Sequence, residues 1–175
     1  ANHLLRTLST KRPTLAATTV TFDGGDSLEV VLAGIAEPVT IYIRGAFTAL
    51  GNYLFDGLTS TTRHAFLPNT TNRWALYAGA QIDTPINTAD TNNHNWCCLF
   101  NGAVSAMYID NMAVATMTGN VGTHVMTGIT LGANYGEVEP WTGSLTDVLI
   151  YAGVLHSAAQ RAQVAAFLAT PFESG

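Results

Sequence analysis

The segment 128–168 constrains this chain most; it reads GITLGANYGEVEPWTGSLTDVLIYAGVLHSAAQRAQVAAFL. A strand over 129–132 enters a polar, Gly-rich loop, and a second, Gly-started strand spans 143–151. After a short turn, Ser157 caps a helix, and Gln160, three residues on, completes a capping box. Val164, Phe167 and Leu168 form an apolar stripe at helical spacing, and Pro171 ends the helix.

Upstream, short alternating runs are separated by turn residues, the pattern of strands with one face in a core. Residues 19–22 alternate and end in Asp23-Gly24-Gly25-Asp26, and 28–32 follow as a second strand. Residues 39–47 (VTIYIRGAF) place Val39, Ile41 and Ile43 on one face. Residues 53–55 lead into an Asp56-Gly57 turn, and 74–78 put Trp74 and Leu76 together. Residues 96–100 are almost wholly apolar, as in a strand buried on both sides. Asn101-Gly102 signals a hairpin turn, with 103–109 returning and 113–117 as a further strand. The polar stretches 59–72 and 83–95 read as rim loops. Many strands and one short helix give an all-β sandwich.

The 175 residues suit one domain, read as 14–175, and the apolar fraction of 47% permits a real core. Net charge is −5, which argues against nucleic acid as a partner. Residues 1–13 hold Arg6, Lys11 and Arg12 and no acid, a local +3 that leaves −8 for the rest. That segment reads as an arm docking on another surface or as a connector from an upstream domain. No apolar run reaches the ~18 residues that span a bilayer. The chain does not begin with Met and reads as a mature product or a fragment of something longer. Cys97 and Cys98 are adjacent, and a bridge between neighbours is strained with Cα atoms ~3.8 Å apart. They read as free thiols, one of them buried, which fits folding in a reducing cytosol.

Several of these segments, in order, resemble the laminin-G-like domains of the concanavalin A-type jelly rolls. Residues 20–24 (VTFDG) look like the opening strand and turn, and 38–42 (PVTIY) like the next core strand. Residues 96–101 with 107–110 (MYID) are similar to the family's Trp-containing strand and its hairpin. Leu131-Gly132, Trp141-Thr142-Gly143, 145–151 and Leu155-His156-Ser157 complete the set, so that the resemblance covers 20–168. It implies a two-sheet antiparallel jelly roll with one short C-terminal helix. Two positions depart from the pattern. Asn111 stands where Gly is usual after Asp110, and tolerates the left-handed turn. Leu149 stands where a polar residue is usual, and reads as a contact with a neighbouring subunit. The style of the chain also looks like phage and bacterial surface proteins.

Catalysis finds little support. The related glucanases carry a Glu-x-Asp-x-x-Glu run, and none is present. The nearest pair of carboxylates, Glu137 and Glu139, lies in a loop beside Pro140. The five histidines show no metal-ligand spacing. Calcium is the cofactor the resemblance implies. Asp23 in the first turn and Asp147 at the start of the last core strand are its candidate ligands, in segments expected to approach each other. The candidate sugar-binding aromatics are Tyr53, Trp74, Tyr77, Tyr135 and Trp141. Trp96 and Trp74 read as core, whereas Tyr135 and Trp141 flank the polar loop and read as exposed, with Asn134, Glu137 and Glu139 between them; the alternative for Trp141 is a plug at the sandwich edge. The expected function is a non-catalytic recognition or decoration module of a larger, oligomeric surface assembly, on a phage virion or bacterial cell surface. It would bind cell-surface glycan through loops 134–141 and 84–95. The alternatives are a purely structural domain docked on a capsid or tail protein through the N-terminal arm, and, behind it, a polysaccharide-degrading enzyme.

Overall fold

The computed structural model describes residues 9–85 and 87–170. Most of the N-terminal arm and Pro171 therefore lie outside the described residues. The strands are β1 (Thr14–Ala16), β2 (Thr19–Asp23), β3 (Leu28–Ile35), β4 (Val39–Phe47), β5 (Phe55–Asp56), β6 (Ala65–Pro68) and β7 (Trp74–Tyr77). They continue as β8 (Gln81–Asp83), β9 (Asn93–Phe100), β10 (Ser105–Ile109), β11 (Met117–Gly119), β12 (Met126–Leu131) and β13 (Thr142–Ala152). One helix follows, α1 (Ala158–Ala169).

A seven-stranded sheet in the order β1-β2-β13-β4-β9-β10-β11 faces a six-stranded sheet in the order β3-β12-β5-β6-β7-β8. All strand pairings are antiparallel. The result is the two-sheet jelly-roll sandwich with one C-terminal helix that the sequence implies.

Alternation explains the filling. Val39, Ile41, Ile43 and Phe47 of β4, with Trp96, Cys98 and Phe100 of the adjacent β9, share one core with Trp74 and Leu76 of β7 in the facing sheet. Phe47 is the hub of the aromatic packing. Its ring lies 5.4 Å from Trp74, 5.7 Å from Trp96, 5.3 Å from Trp141 and 6.2 Å from Phe66. Each such ring contributes about 2–3 kcal/mol by leaving water.

The other face of the seven-stranded sheet is also covered. Tyr42, Cys97 and Met112 are buried with Leu168 of α1, and Leu149, Tyr151 and Val164 pack around them. Ser157 and Gln160 form the expected capping box at the helix start. Arg161 is buried, donating to the carbonyls of Met112 and His156, with its guanidinium 3.8 Å from the centre of the Tyr108 ring.

This second apolar layer corrects three expectations. Leu149 packs beneath the protein's own helix, which accounts for an apolar residue there without a neighbouring subunit. Both cysteines are buried and free, one on each face of β9. Phe167 does not join the apolar stripe of α1 and is 61% exposed.

Local details differ as well. Asp110, not Asn111, takes the left-handed conformation, at φ 55°. A 3-10 turn, Gly102–Val104, replaces the hairpin turn, and β11 begins only at Met117. Strands β1, β6 and β8 were not signalled; β6 is wholly buried within the stretch read as a loop. The α-helix packs on the outer face of the seven-stranded sheet.

Candidate functional site

On β5, Phe55 enters the core and Asp56 faces the opposite way. Asp56 is nevertheless fully buried, because two loops close over it. The first runs from Gly57 to Arg63. A side chain on Gly57 would meet the carbonyl oxygen of Thr62 at 2.3 Å, so glycine permits the tight return. Arg63 then comes back over Asp56: its Nε lies 3.0 and 3.1 Å from the two carboxylate oxygens, and its Nη2 is 2.8 Å from Oδ2. The backbone N–H of Gly57 donates to Oδ1 at 2.7 Å. The N–H of Tyr135, in the second loop, donates to Oδ2 at 3.1 Å.

Three tyrosine rings surround this guanidinium. Its carbon lies 5.3 Å from the ring centre of Tyr53, 4.7 Å from Tyr77 and 4.9 Å from Tyr135, within cation–π range. Tyr77 reaches the site because Trp74 and Leu76 point inward on β7, which turns Tyr77 outward. Burial pushes the Asp56 carboxyl up, opposed by Arg63 and by the N–H groups of Gly57 and Tyr135. Burial also works against the Arg63 charge, but Asp56 outweighs it and raises the guanidinium pKa. The site is a neutralised ion pair ringed by phenols, with Tyr135 38% exposed and Tyr53 and Tyr77 half-buried.

The loop 132–141 is held from within. The Asn134 side-chain oxygen accepts the N–H groups of Gly136 and Val138, and its amide donates to Glu139 at 2.8 Å. Asn134 is therefore an internal brace, only 6% exposed, and not a free amide for a sugar. Glu137 pairs with Lys11 at 2.8 Å, which ties the start of the domain to this loop. Glu137 and Glu139 each sit at φ 55°, so the segment is not extended.

Trp141 corrects the sequence reading. It is fully buried, its ring 5.1 Å from Phe22 and 5.3 Å from Phe47, and it plugs the core instead of presenting a face. The loop 84–95 is also anchored: Thr84 is buried and accepts the Trp74 N–H, and His94 lies between Asp90 and Asp110 at 2.9 and 2.7 Å.

The expected calcium pair is not brought together. Asp23 lies opposite Thr142 in the β2–β13 ladder, while Asp147 lies opposite Arg44, five residues further along β13. That separation is roughly 15 Å along the strand. The Asp23 side chain accepts the Gly25 N–H in its own turn. Among the described residues no three His, Cys, Asp or Glu side chains are grouped to hold a metal ion.

Of the residues in the site, Tyr53, Tyr77 and Tyr135 were candidates from sequence, and Arg63 and Asp56 were not. The Asp56-Gly57 dipeptide read only as a turn, and Arg63 lay inside a polar stretch.

No family model matches the chain. No curated protein matches it in sequence. Among solved structures it is similar to domain 4 of AbnA, a GH43 extracellular arabinanase from Geobacillus stearothermophilus, in complex with arabinotriose. The TM-score is 0.64 at 14% identity, over 84% of this chain and 76% of that one. It is similar to a heptameric SAP-like pentraxin from Limulus polyphemus, with TM-score 0.58 and 18% identity, over 84% of this chain and 81% of that one. It is also similar to the LG1–3 region of the laminin alpha2 chain, with TM-score 0.60 and 14% identity, over 79% of this chain and 27% of that one. These likenesses, with the two antiparallel sheets, establish a concanavalin A-like jelly roll. At such identities they carry the fold alone, and chemistry rests on the residues.

Proposed function

We propose that this domain is a non-catalytic recognition module that binds glycan on the face formed by Tyr53, Tyr77, Tyr135 and Arg63. The observation that carries the reading is the Arg63 guanidinium fixed among three phenol rings over buried Asp56. Aromatic faces supply apolar contact to a sugar ring, and the phenols and guanidinium supply hydrogen bonds. The neighbouring arabinanase domain, solved with arabinotriose, supports the reading at the level of the fold. A non-catalytic role is supported by how the local acids are used. Asp56 is sealed beneath Arg63, Glu139 holds Asn134 and Glu137 holds Lys11. A glycosidase needs two carboxylates free to flank the scissile bond. In our reading the domain displays this face as part of an oligomeric surface assembly, on a phage particle or a bacterial cell.

A glycan-array screen, run with calcium and again with chelator, tests the proposal. Binding to a defined polysaccharide is expected, with Tyr135→Ala weakening it about tenfold while the protein stays folded. Tyr135 is the ring to change because it is the most exposed of the three. Unchanged affinity in that variant would remove this face from the reading. An array without binders would shift the weight to a structural docking role.

A further inference from the structure

His64 follows Arg63 in the chain but lies inside the sandwich, fully buried, with its ring 4.7 Å from Phe100. Neither of its ring nitrogens has a hydrogen-bond partner among the described residues. The Nε2 atom lies 3.7 Å from Oε1 of Glu37, too far for a hydrogen bond, and that oxygen has no partner either. The Nδ1 atom of His124 is a fourth buried polar atom without a partner. Buried polar atoms are rarely left unpaired, and on this inner side the protein supplies the Glu37 carboxylate with no donor and no charge.

Glu37 lines a cavity of about 350 Å³ together with Ala36, Asn101, Gly102, Thr123 and Val125. Its side chain is only 9% exposed. The Gly102 N–H donates to Oε2 and fixes the carboxylate. Among the described residues no Lys or Arg pairs with it. Burial strips water from the His64 ring and holds it neutral near pH 7, so it supplies no compensating charge. Burial therefore pushes the Glu37 carboxyl up, with the Gly102 N–H only partly opposing it, and a cation beside it favours the ionised form.

We propose that this cavity binds a small organic cation, a primary ammonium group, with Glu37 as its counter-ion. Ala36 and Val125 give apolar wall for the methylenes that carry such a group, and Asn101 and Thr123 give polar contacts beside it. The carboxylate disfavours an anion, and the described residues offer no three-ligand set for a metal. The group has two natural sources, an amino sugar and a lysine side chain. The site is independent of the tyrosine face.

The test is an amide NMR titration of the ¹⁵N-labelled protein, read at Gly102. The probes are D-glucosamine and Nα-acetyl-lysine N-methylamide, with N-acetylglucosamine and the Nε-acetylated lysine derivative as uncharged controls. One cationic probe is expected to shift Gly102 saturably with Kd of about 1 mM, and which one saturates identifies the source. Glu37→Gln should weaken it at least about tenfold, and Tyr135→Ala should leave it unchanged. Should Glu37→Gln not fold, Val125→Trp serves instead. Val125 is 43% exposed, so the fold tolerates a ring that blocks the cavity. The proposal is overturned by equal shifts with the uncharged controls, by Val125→Trp or folded Glu37→Gln binding within about twofold of wild type, or by no saturation at about 50 mM probe.

Discussion

Replacing Arg63 by Met tests the arrangement on which the candidate site depends. The side chain is 16% exposed and its partner Asp56 is fully sealed, so the variant strands a carboxylate inside the protein. Breaking a buried pair by removing one partner costs about 3–5 kcal/mol. The N–H groups of Gly57 and Tyr135 still hold the carboxylate, and Met keeps part of the packing against the three rings. A loss near the lower end, about 3 kcal/mol, follows. For a chain of this size that is a fall in Tm of roughly 6–12 °C. Asp56→Asn leaves a guanidinium that still touches water and should cost about 2 kcal/mol. The double variant removes both charges at once and should cost about 2 kcal/mol less than the sum of the two. Urea unfolding of all four proteins measures the cycle. Additivity within about 0.5 kcal/mol would mean that the two side chains do not act as a unit, and the reasoning would fall.

Burial lowers the His64 pKa to about 4, with His124 adding to the effect. The unfolded chain therefore binds a proton that the native state refuses, and stability should fall by about 3 kcal/mol as pH drops from about 6.5 to 4. Urea midpoints at each pH, in a Glu37→Gln background that removes the opposing titration of that carboxyl, should show this slope, and His64→Phe should flatten it. Burial pulls the His94 pKa down, but hydrogen bonds to Asp110 and Asp90 more than restore it and the net shift is upward. Its contribution is present below about pH 6.5 and is lost as pH rises through the folded value. Because Asp90 and Asp110 are 44% and 54% exposed, the effect should stay below about 1 kcal/mol, and His94→Gln should abolish it. Leu168→Ala should cost about 3 kcal/mol in chemical denaturation and Phe167→Ala under about 0.5, since only Leu168 is buried against Tyr42 and Cys97. Equal costs would contradict the observed face of α1.

Legibility in the sequence followed the range of the interactions. Strand β4 runs over the nine residues whose alternation announces it, and the capping box at Ser157 and Gln160 is a local exchange of hydrogen bonds. Strand β6 was hidden because four residues between polar stretches carry no period, and pairing with β5 and β7 decides their state. Trp141 was misread for a related reason. Its chain neighbours are polar, but its spatial neighbours are Phe22 and Phe47, from distant strands. The near-continuous apolar run of β9 did announce burial on both faces. That the second face belongs to α1, through Leu168, was not visible in the run itself.

The candidate site shows the same division in its most demanding form. Three tyrosines were recognisable as residue types, yet they become one surface only through Asp56. That carboxylate receives Gly57, Arg63 and Tyr135, and so fixes the loop after β5 and the loop before β13 to one point on the six-stranded sheet. A local turn would need an Asp at this position to bond one nearby N–H. The structure loads the same side chain with a cation and a second loop, and buries it completely. Such a residue ties stability to the shape of the face. Loosening Asp56 should therefore release Tyr135 from Arg63 as well as lower the unfolding free energy, and any ligand of this face should stabilise the protein by occupying an arrangement the ion pair has already set.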